Sequence, residues 1–359
     1  MTQTWQAAVR PTLDTVLQAE AVTGMVLAVA QGDSAAEPLW LGADATGMAL
    51  SPTTLFPVAS LTKLATALAV LRLIAAGAMT LDESLTRLLP DAAAAQPGVT
   101  PRTLLCHTSG LPVDFAPNTV PYALGLNWPT LARACLAVPL STPPRTEVCY
   151  SNLGYGLLAL MVERLTGQPF STALTNLVLT PLGIEGYLGA NLPRPAAQLG
   201  GRLGEHTGTA LEPFNSLFWR DLALPWAGLL TTATGALALV RAFAGVPTGF
   251  LPPSLTAEAT SDQTGGLAGG TPGFLRWTPC PWGLGVELRG AKRPYYTPAK
   301  ASPATFGHAG GSGAFAFADP QVAIAWAMLS TRPLPGWWVR WPHIGAAILS
   351  ALDSGGLVV

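Results

Sequence analysis

Charge is what this sequence has least of. Asp, Glu, Lys and Arg make up 11% of its 359 residues, against about 25% in an average soluble protein. The formal net charge is −1, which excludes a basic face for nucleic acid and a polybasic membrane anchor. No apolar run is long enough for a membrane span: the most apolar stretch, 61–79, is broken by Lys63 and Arg72. The N-terminus, Met1-Thr2-Gln3-Thr4-Trp5-Gln6, lacks a basic n-region and an apolar h-region. A cytoplasmic location is therefore expected, with a periplasmic or secreted one if a leader has been removed. Cys106, Cys135, Cys149 and Cys280 show no C-x-x-C or paired spacing, so free buried thiols are expected. His107, His206, His308 and His343 show no H-E-x-x-H spacing, so no metal and no cofactor is expected. G-x-S-x-G is absent, which disfavours the strand-to-helix nucleophile elbow of α/β-hydrolases.

Lysine is scarcer than charge as a whole: only Lys63, Lys292 and Lys300 occur among 19 basic residues. One of them stands a single helical turn after a serine, in Ser60-Leu61-Thr62-Lys63. Pro57 marks a helix entry and the Ala- and Leu-rich pattern runs from Leu61 to Gly77. Residues i and i+3 share a helix face, so the lysine amine can reach the serine oxygen. The positive helix end and desolvation both disfavour an ammonium there. A neutral amine can take the hydroxyl proton, which makes Ser60 a candidate nucleophile. A solvated helix face also tolerates lysine, so the spacing alone is a weak signal.

Residues 4–22 carry a helical pattern, and 24–30 with 39–42 read as a hairpin. From 80 to 215 helices alternate with Pro-rich loops. Leu81-Asp82-Glu83 is expected to open one, Thr100-Pro101 another with Thr100 as N-cap, and Asn127-Trp128-Pro129 a third. The fourth spans 154–165 and ends at Gly167. Strand patterns return at 282–288, 313–318 and 322–329, the last two joined tightly at Asp319-Pro320-Gln321, and 336–353 reads as a closing helix. The fold expected is an α/β sandwich whose antiparallel sheet is flanked by N- and C-terminal helices, plus an inserted all-α domain. The α/β domain would comprise 1–79 and 216–359 and the helical domain 80–215, with the site at their junction.

Two further segments supply chemistry. In Tyr150-Ser151-Asn152 the phenol suits a proton shuttle and the amide a substrate carbonyl, although a core aromatic and a helix cap would account for the same residues. In Gly307-His308-Ala309-Gly310-Gly311-Ser312-Gly313 the glycines permit close backbone approach by a ligand. A main-chain N–H there would form half of an oxyanion hole, with the Ser60 N–H as the other half. A strand-edge histidine and a bulge are the plainer alternative.

Together S-x-x-K, Y-x-N and H-x-G in this order resemble the serine β-lactamase and penicillin-binding protein superfamily. More of the chain is similar to its class C and family VIII esterase branch. The segments concerned are Leu104-Leu105-Cys106-His107-Thr108-Ser109-Gly110-Leu111-Pro112, Tyr150-Ser151-Asn152-Leu153-Gly154-Tyr155, Thr166-Gly167-Gln168-Pro169-Phe170, Pro181-Leu182-Gly183-Ile184 and Ala227-Gly228-Leu229-Leu230-Thr231-Thr232. The resemblance implies Ser60 as acylated nucleophile, Lys63 as its base or base partner and Tyr150 as general base/acid. It implies Asn152, His308 and Gly310 as substrate-orienting, with the oxyanion N–H groups on Ser60 and Gly311. Tyr150 and Lys63 would titrate as a coupled unit.

The chain departs from the pattern at His308, where lactamases and D,D-peptidases usually carry a lysine. A histidine is largely neutral at pH 7, a weak anchor for a carboxylate. That disfavours an efficient β-lactamase and favours a serine hydrolase acting on small esters or amides, within an expected partner class of small-molecule ester, amide or lactam substrates. A β-lactamase or D,D-peptidase/D-aminopeptidase is the alternative, and a catalytically silent scaffold or ligand-binding relative is the alternative of another class. Arg145, where the branch often has glycine, and Gly235, where it often has an acid, read as structural drift. Phe115, Tyr122, Trp128, Phe250, Phe274, Trp277, Tyr295 and Tyr296 lie on expected rim loops, where an apolar pocket and loop packing explain them equally well. No oligomeric state follows from these patterns.

Overall fold

Alternating small and large side chains decide how the central sheet is covered. The computed structural model describes residues 4–117, 119–189 and 191–355; Met1, Thr2 and Gln3 of the N-terminal reading lie outside them. The strands are β1 (Gly24–Gln31), β2 (Leu39–Gly42), β3 (Glu287–Leu288), β4 (Phe306–Gly310), β5 (Ala314–Asp319) and β6 (Ile324–Ser330). They pair antiparallel in the order β3-β4-β5-β6-β1, with β2 and the short strand Ser34–Ala35 both on the far edge of β1. The register sets Ala316 opposite Ala327 and Ala327 opposite Ala28. One face therefore carries Val26, Ala28, Ala30, Ala314, Ala316, Ala318, Ala325, Ala327 and Leu329. The other carries Leu27, Val29, Phe315, Phe317, Trp326 and Met328. That is the two-residue period of a strand buried on both sides.

The aromatic face packs on helix α1 (Trp5–Ala19) and the closing helix Trp341–Gly355. Thr4 caps α1, and Trp5, Val9, Leu13 and Val16 form its buried stripe. Trp341 meets Phe315 at 4.9 Å between ring centroids. Burying each such side chain stabilises by about 1.5–3 kcal/mol. The alanine face lets helix Ala233–Phe243 approach the sheet, since methyl groups set the spacing, and helix α2 (Thr62–Ala75) packs on that helix.

The expected antiparallel sheet with flanking helices is present. Within 80–215 the helices are α3 (Leu85–Leu88), α4 (Pro101–Leu105), α5 (Trp128–Ala137), α6 (Asn152–Thr166) and Phe170–Leu174, which continues into the π-helical turn Thr175–Leu179. Thr100 is the N-cap expected, accepting from Thr103 N, and the helix expected to open at Asn127 is capped by that residue, which accepts from Thr130 N. Helix α6 ends at Gly167 in the left-handed region. Leu81-Asp82-Glu83 does not open a helix: Ser84 caps α3, and the three residues before it form a turn. The strand expected over 282–288 is reduced to its last two residues. Gly285 has φ +99°, and a Cβ there would collide with Ala67 of α2.

Arg145 and Gly235 turn out to have backbone explanations rather than being drift. Arg145 sits at φ +62°, the region where glycine is at ease. Gly235 N donates to the N-cap Thr232 at 3.1 Å, and a Cβ at 235 would run into Thr231 Oγ1. All four cysteines are free; Cys149 is half-buried and the others are buried. No helix among the described residues is long and apolar enough to cross a membrane.

Two small sheets aim at one place. Phe56–Pro57 pairs with Leu229–Thr231, and Val58 N donates to Leu229 O at 3.0 Å, which fixes the chain entering α2. Val148–Cys149 pairs in parallel with Gly269–Thr271, and Tyr150 N donates to Gly270 O at 3.0 Å, which fixes the chain entering α6.

Candidate active site

Ser60 lies on a single 3-10 turn, Ala59–Leu61, that runs straight into α2. Ala59 is held at φ +46°, a conformation costing on the order of 1–3 kcal/mol. The turn packs beneath β4, where a Cβ at Gly310 would collide with the Val58 carbonyl oxygen. Gly310 thus lets the strand close on the turn. Around Gly311 the space is open, since a Cβ built there meets no atom within 4 Å.

Lys63 is fully buried. Its Nζ lies 3.3 Å from Ser60 Oγ, 2.8 Å from Asn152 Oδ1 and 3.1 Å from the Trp226 carbonyl oxygen. Burial drives its pKa well below the ordinary lysine value, opposed by the negative charge of Asp114. A neutral amine satisfies this geometry: two N–H bonds go to Asn152 and Trp226, and the lone pair faces the Ser60 hydroxyl. Tyr150 also hydrogen-bonds Ser60, and burial raises its phenol above the ordinary value. Lys63 Nζ is 4.6 Å from the Tyr150 ring centroid. The two shifts run in opposite directions, the amine down and the phenol up, and burial is the largest cause of each.

Asn152 is the first residue of α6 and does not cap it; Ser151 does, accepting from Gly154 N at 3.2 Å. That frees the Asn152 amide, whose Oδ1 accepts from Lys63 and whose Nδ2 donates to Asp114 Oδ2 at 2.9 Å. His308 is buried, with Nδ1 2.7 Å from the Ala309 carbonyl oxygen, so that nitrogen carries the proton. Its Nε2 has no partner among the described residues. Burial, with help from Lys63, lowers its pKa to about 3, which keeps the ring neutral. Its ring centroid is 5.9 Å from that of Tyr150. Ser60, Lys63, Tyr150, Asn152, His308 and Gly310 are thus brought together from α2, α6 and β4, with Gly311 following the strand.

Three contributors were not singled out as site residues in the sequence. His107, at φ +61°, accepts from Ser151 N through Nδ1 at 3.0 Å and stacks 4.6 Å from Tyr150, clamping the Tyr150–Asn152 segment. The signal for it was its place in the Leu104–Pro112 segment. Asp114 fixes the Asn152 amide, and no sequence pattern announces it. Trp282 packs edge-on to His107 at 4.6 Å and to His308 at 5.6 Å. Behind it lies a buried ion pair, Lys292 Nζ to Glu287 Oε1 at 2.7 Å. Of the rim aromatics, Phe115 and Tyr122 line a cavity that shares Asp114 and Trp226 with the site. Trp277, Tyr295 and Tyr296 are buried in the packing beneath the sheet.

The chain is 35% identical over 209 residues to penicillin-binding protein 4 of Amycolatopsis lactamdurans, covering 55% of this chain and 52% of that one. It is 34% identical over 253 residues to esterase EstB of Burkholderia gladioli, covering 61% of this chain and 64% of that one. The aligned part thus spans about half to under two thirds of these relatives' length. The crystal structure of a beta-lactamase from Mycobacterium bovis superposes with a TM-score of 0.68 at 28% identity, covering 94% of this chain and 98% of that one. The model of the family described as Beta-lactamase matches residues 9–344, nearly the whole chain. On that match and the shared fold, the chain belongs to the Beta-lactamase family.

Proposed function

We propose that the protein is a serine hydrolase that cleaves small esters through an acyl-enzyme on Ser60. The observation that carries this reading is the buried Lys63 amine 3.3 Å from Ser60 Oγ, with its N–H groups directed to Asn152 and Trp226. As Oγ attacks the ester carbonyl carbon, Lys63 Nζ takes the hydroxyl proton. The Ser60 and Gly311 main-chain N–H groups receive the developing oxyanion. The alkoxide leaves with the Tyr150 proton, and Lys63 returns a proton to Tyr150. Water then attacks the acyl carbon with the roles reversed, releasing the acid and restoring Ser60.

His308 supports esters over lactams and carboxylate-terminated peptides. A ring held neutral by burial, with a pKa lowered to about 3, offers no cation to a substrate carboxylate. In this reading the helical segment 80–215 contributes Asn152 and Tyr150, and the sheet-bearing segments contribute Ser60, Lys63 and His308. The test is Ser60→Ala measured on p-nitrophenyl butyrate, with intact-mass analysis after a fluorophosphonate. Loss of turnover together with a single adduct on wild-type Ser60 is expected. Unchanged turnover in the variant overturns the reading, and an unlabelled Ser60 supports a silent ligand-binding relative. Nitrocefin turnover within tenfold of ester turnover would favour a lactamase instead.

A further inference from the structure

The cavity next to the site differs from its surroundings in charge as well as in polarity. It holds about 280 Å³, the share of liquid volume taken by about nine waters. Its walls include Phe115, Tyr122, Leu131, Trp219, Leu222 and Trp226. It connects to the reacting groups at two points: the Trp226 carbonyl oxygen accepts from Lys63, and Asp114 accepts from Asn152. Asp114 is the one charged residue of its lining.

That carboxylate is exposed and has acceptor capacity to spare. Oδ1 accepts from Phe115 N at 2.8 Å and Oδ2 from Asn152 Nδ2 at 2.9 Å. An ionised carboxylate has about four lone-pair sites, so about half remain open. Among the described residues no Lys, Arg or His pairs with it within 4.0 Å. Lys63 reaches it only through the Asn152 amide, and burial disfavours its ammonium. His308 and His107 are buried and neutral for the same reason. Lys292 is spent on Glu287. The site thus borders an apolar chamber with one carboxylate at its rim that no ion pair takes up among the described residues.

We propose that this cavity takes an apolar acyl group carrying an ammonium, as in an ester of an apolar amino acid, and that Asp114 selects for that charge. This rests on the Ser60 acyl-enzyme reading. Anionic acyl groups are disfavoured by the same carboxylate, which no side-chain cation pairs within 4.0 Å among the described residues.

The experiment compares kcat/KM for three methyl esters of one shape: phenylalanine methyl ester as each enantiomer, methyl 3-phenylpropanoate, and monomethyl benzylmalonate. They place an ammonium, a hydrogen or a carboxylate on the same carbon. The expected order is ammonium, then neutral, then carboxylate. Each step should be about twofold to fivefold, the range an exposed charge pair supports. Asp114→Asn keeps an acceptor for Asn152 and should bring the ammonium-to-neutral ratio to about one. Ala116→Trp, which fills the chamber, should cut the phenyl esters at least tenfold relative to methyl acetate. A wild-type ratio of one, or a preference that survives Asp114→Asn, overturns the charge selection. Unchanged discrimination in Ala116→Trp overturns the cavity assignment. In those cases fluorophosphonate labelling of Ser60 and turnover of the neutral ester leave the hydrolase reading standing. An unlabelled Ser60 with no ester turned over overturns both.

Discussion

Lys63→Met separates catalysis from stability in a way that few substitutions in an enzyme core do. The side chain is fully buried, and burial is the largest cause of its lowered pKa. Holding an amine of ordinary pKa 10.5 neutral at pH 7 costs about 5 kcal/mol, at about 1.4 kcal/mol per pH unit. Methionine is of similar length and carries no such cost. It leaves the Asn152 Oδ1 and Trp226 carbonyl acceptors unpaired, at about 1–3 kcal/mol each. The two effects are of one size, so the variant should fold with near wild-type stability at pH 7. On the proposed mechanism its ester turnover should fall by about 10²–10⁴, the contribution of a general base.

The sign with pH is definite. Between its folded-state and unfolded-state pKa values Lys63 is neutral in the native protein and protonated in the unfolded chain. The unfolded state then binds more protons, so wild-type stability rises with pH. The variant lacks this dependence. Urea unfolding at pH 7, 8 and 9 should show the stability of Lys63→Met relative to wild type growing by about 1.4 kcal/mol for each pH unit lowered. His308, lowered to about 3 from an ordinary 6.5, is mostly unprotonated in both states between pH 7 and 9 and adds little to the slope there. A difference that does not change with pH would show that Lys63 is charged in the native state, and the base assignment would fall with it.

Tyr150→Phe removes the phenol proton that serves the leaving group; kcat on alkyl esters should drop about 10²–10³, and less on p-nitrophenyl esters, whose leaving group needs little protonation. His308 is neutral down to about pH 3 in the fold but takes a proton in the unfolded chain near 6.5, so its contribution destabilises progressively as pH falls through that window. His308→Gln should therefore move the acid-unfolding midpoint to lower pH, followed by circular dichroism, and an unmoved midpoint would count against a buried neutral ring. Gly310→Ala forces a methyl into the Val58 carbonyl; overpacking of this kind costs about 1–3 kcal/mol. It should also reduce turnover at least tenfold by displacing the Ser60 turn, both read from thermal melts and initial rates.

How much of this was legible in the sequence depends on the range of the force involved. Thr100 before Pro101 and Asn127 before Trp128 announce their helices because caps are local hydrogen bonds. Ser84 took the cap that Leu81-Asp82-Glu83 was expected to mark, for the same local reason. Ser60, Lys63, Tyr150, Asn152 and His308 were recognisable because each stands in a short ordered motif. Asp114 was not, since its role exists only when its loop meets the start of α6. Nor was Lys292 with Glu287, a pair whose meaning depends on burial among Trp277, Trp282 and Tyr295. The failed strand at 282–288 was a tertiary effect, since Gly285 yields its regular backbone to bring the segment against α2.

The alanines of the sheet have a consequence for how this enzyme can change. Ala28, Ala316 and Ala327 are fully enclosed and lie on the face turned toward helix Ala233–Phe243. They act as shims: their methyl groups set the height at which that helix, with α2 packed on it, stands over the sheet. A single added carbon at one of them would press on that helix and through it on α2, because close-packed interiors pass strain on instead of absorbing it. Variation that retunes substrate choice has far more freedom in the loops around Asp114 and Phe115 than in the sheet beneath them. The aromatic face opposite, turned toward α1 and the closing helix, has less of that freedom, since its cluster also holds Trp282, Tyr150 and Ala309.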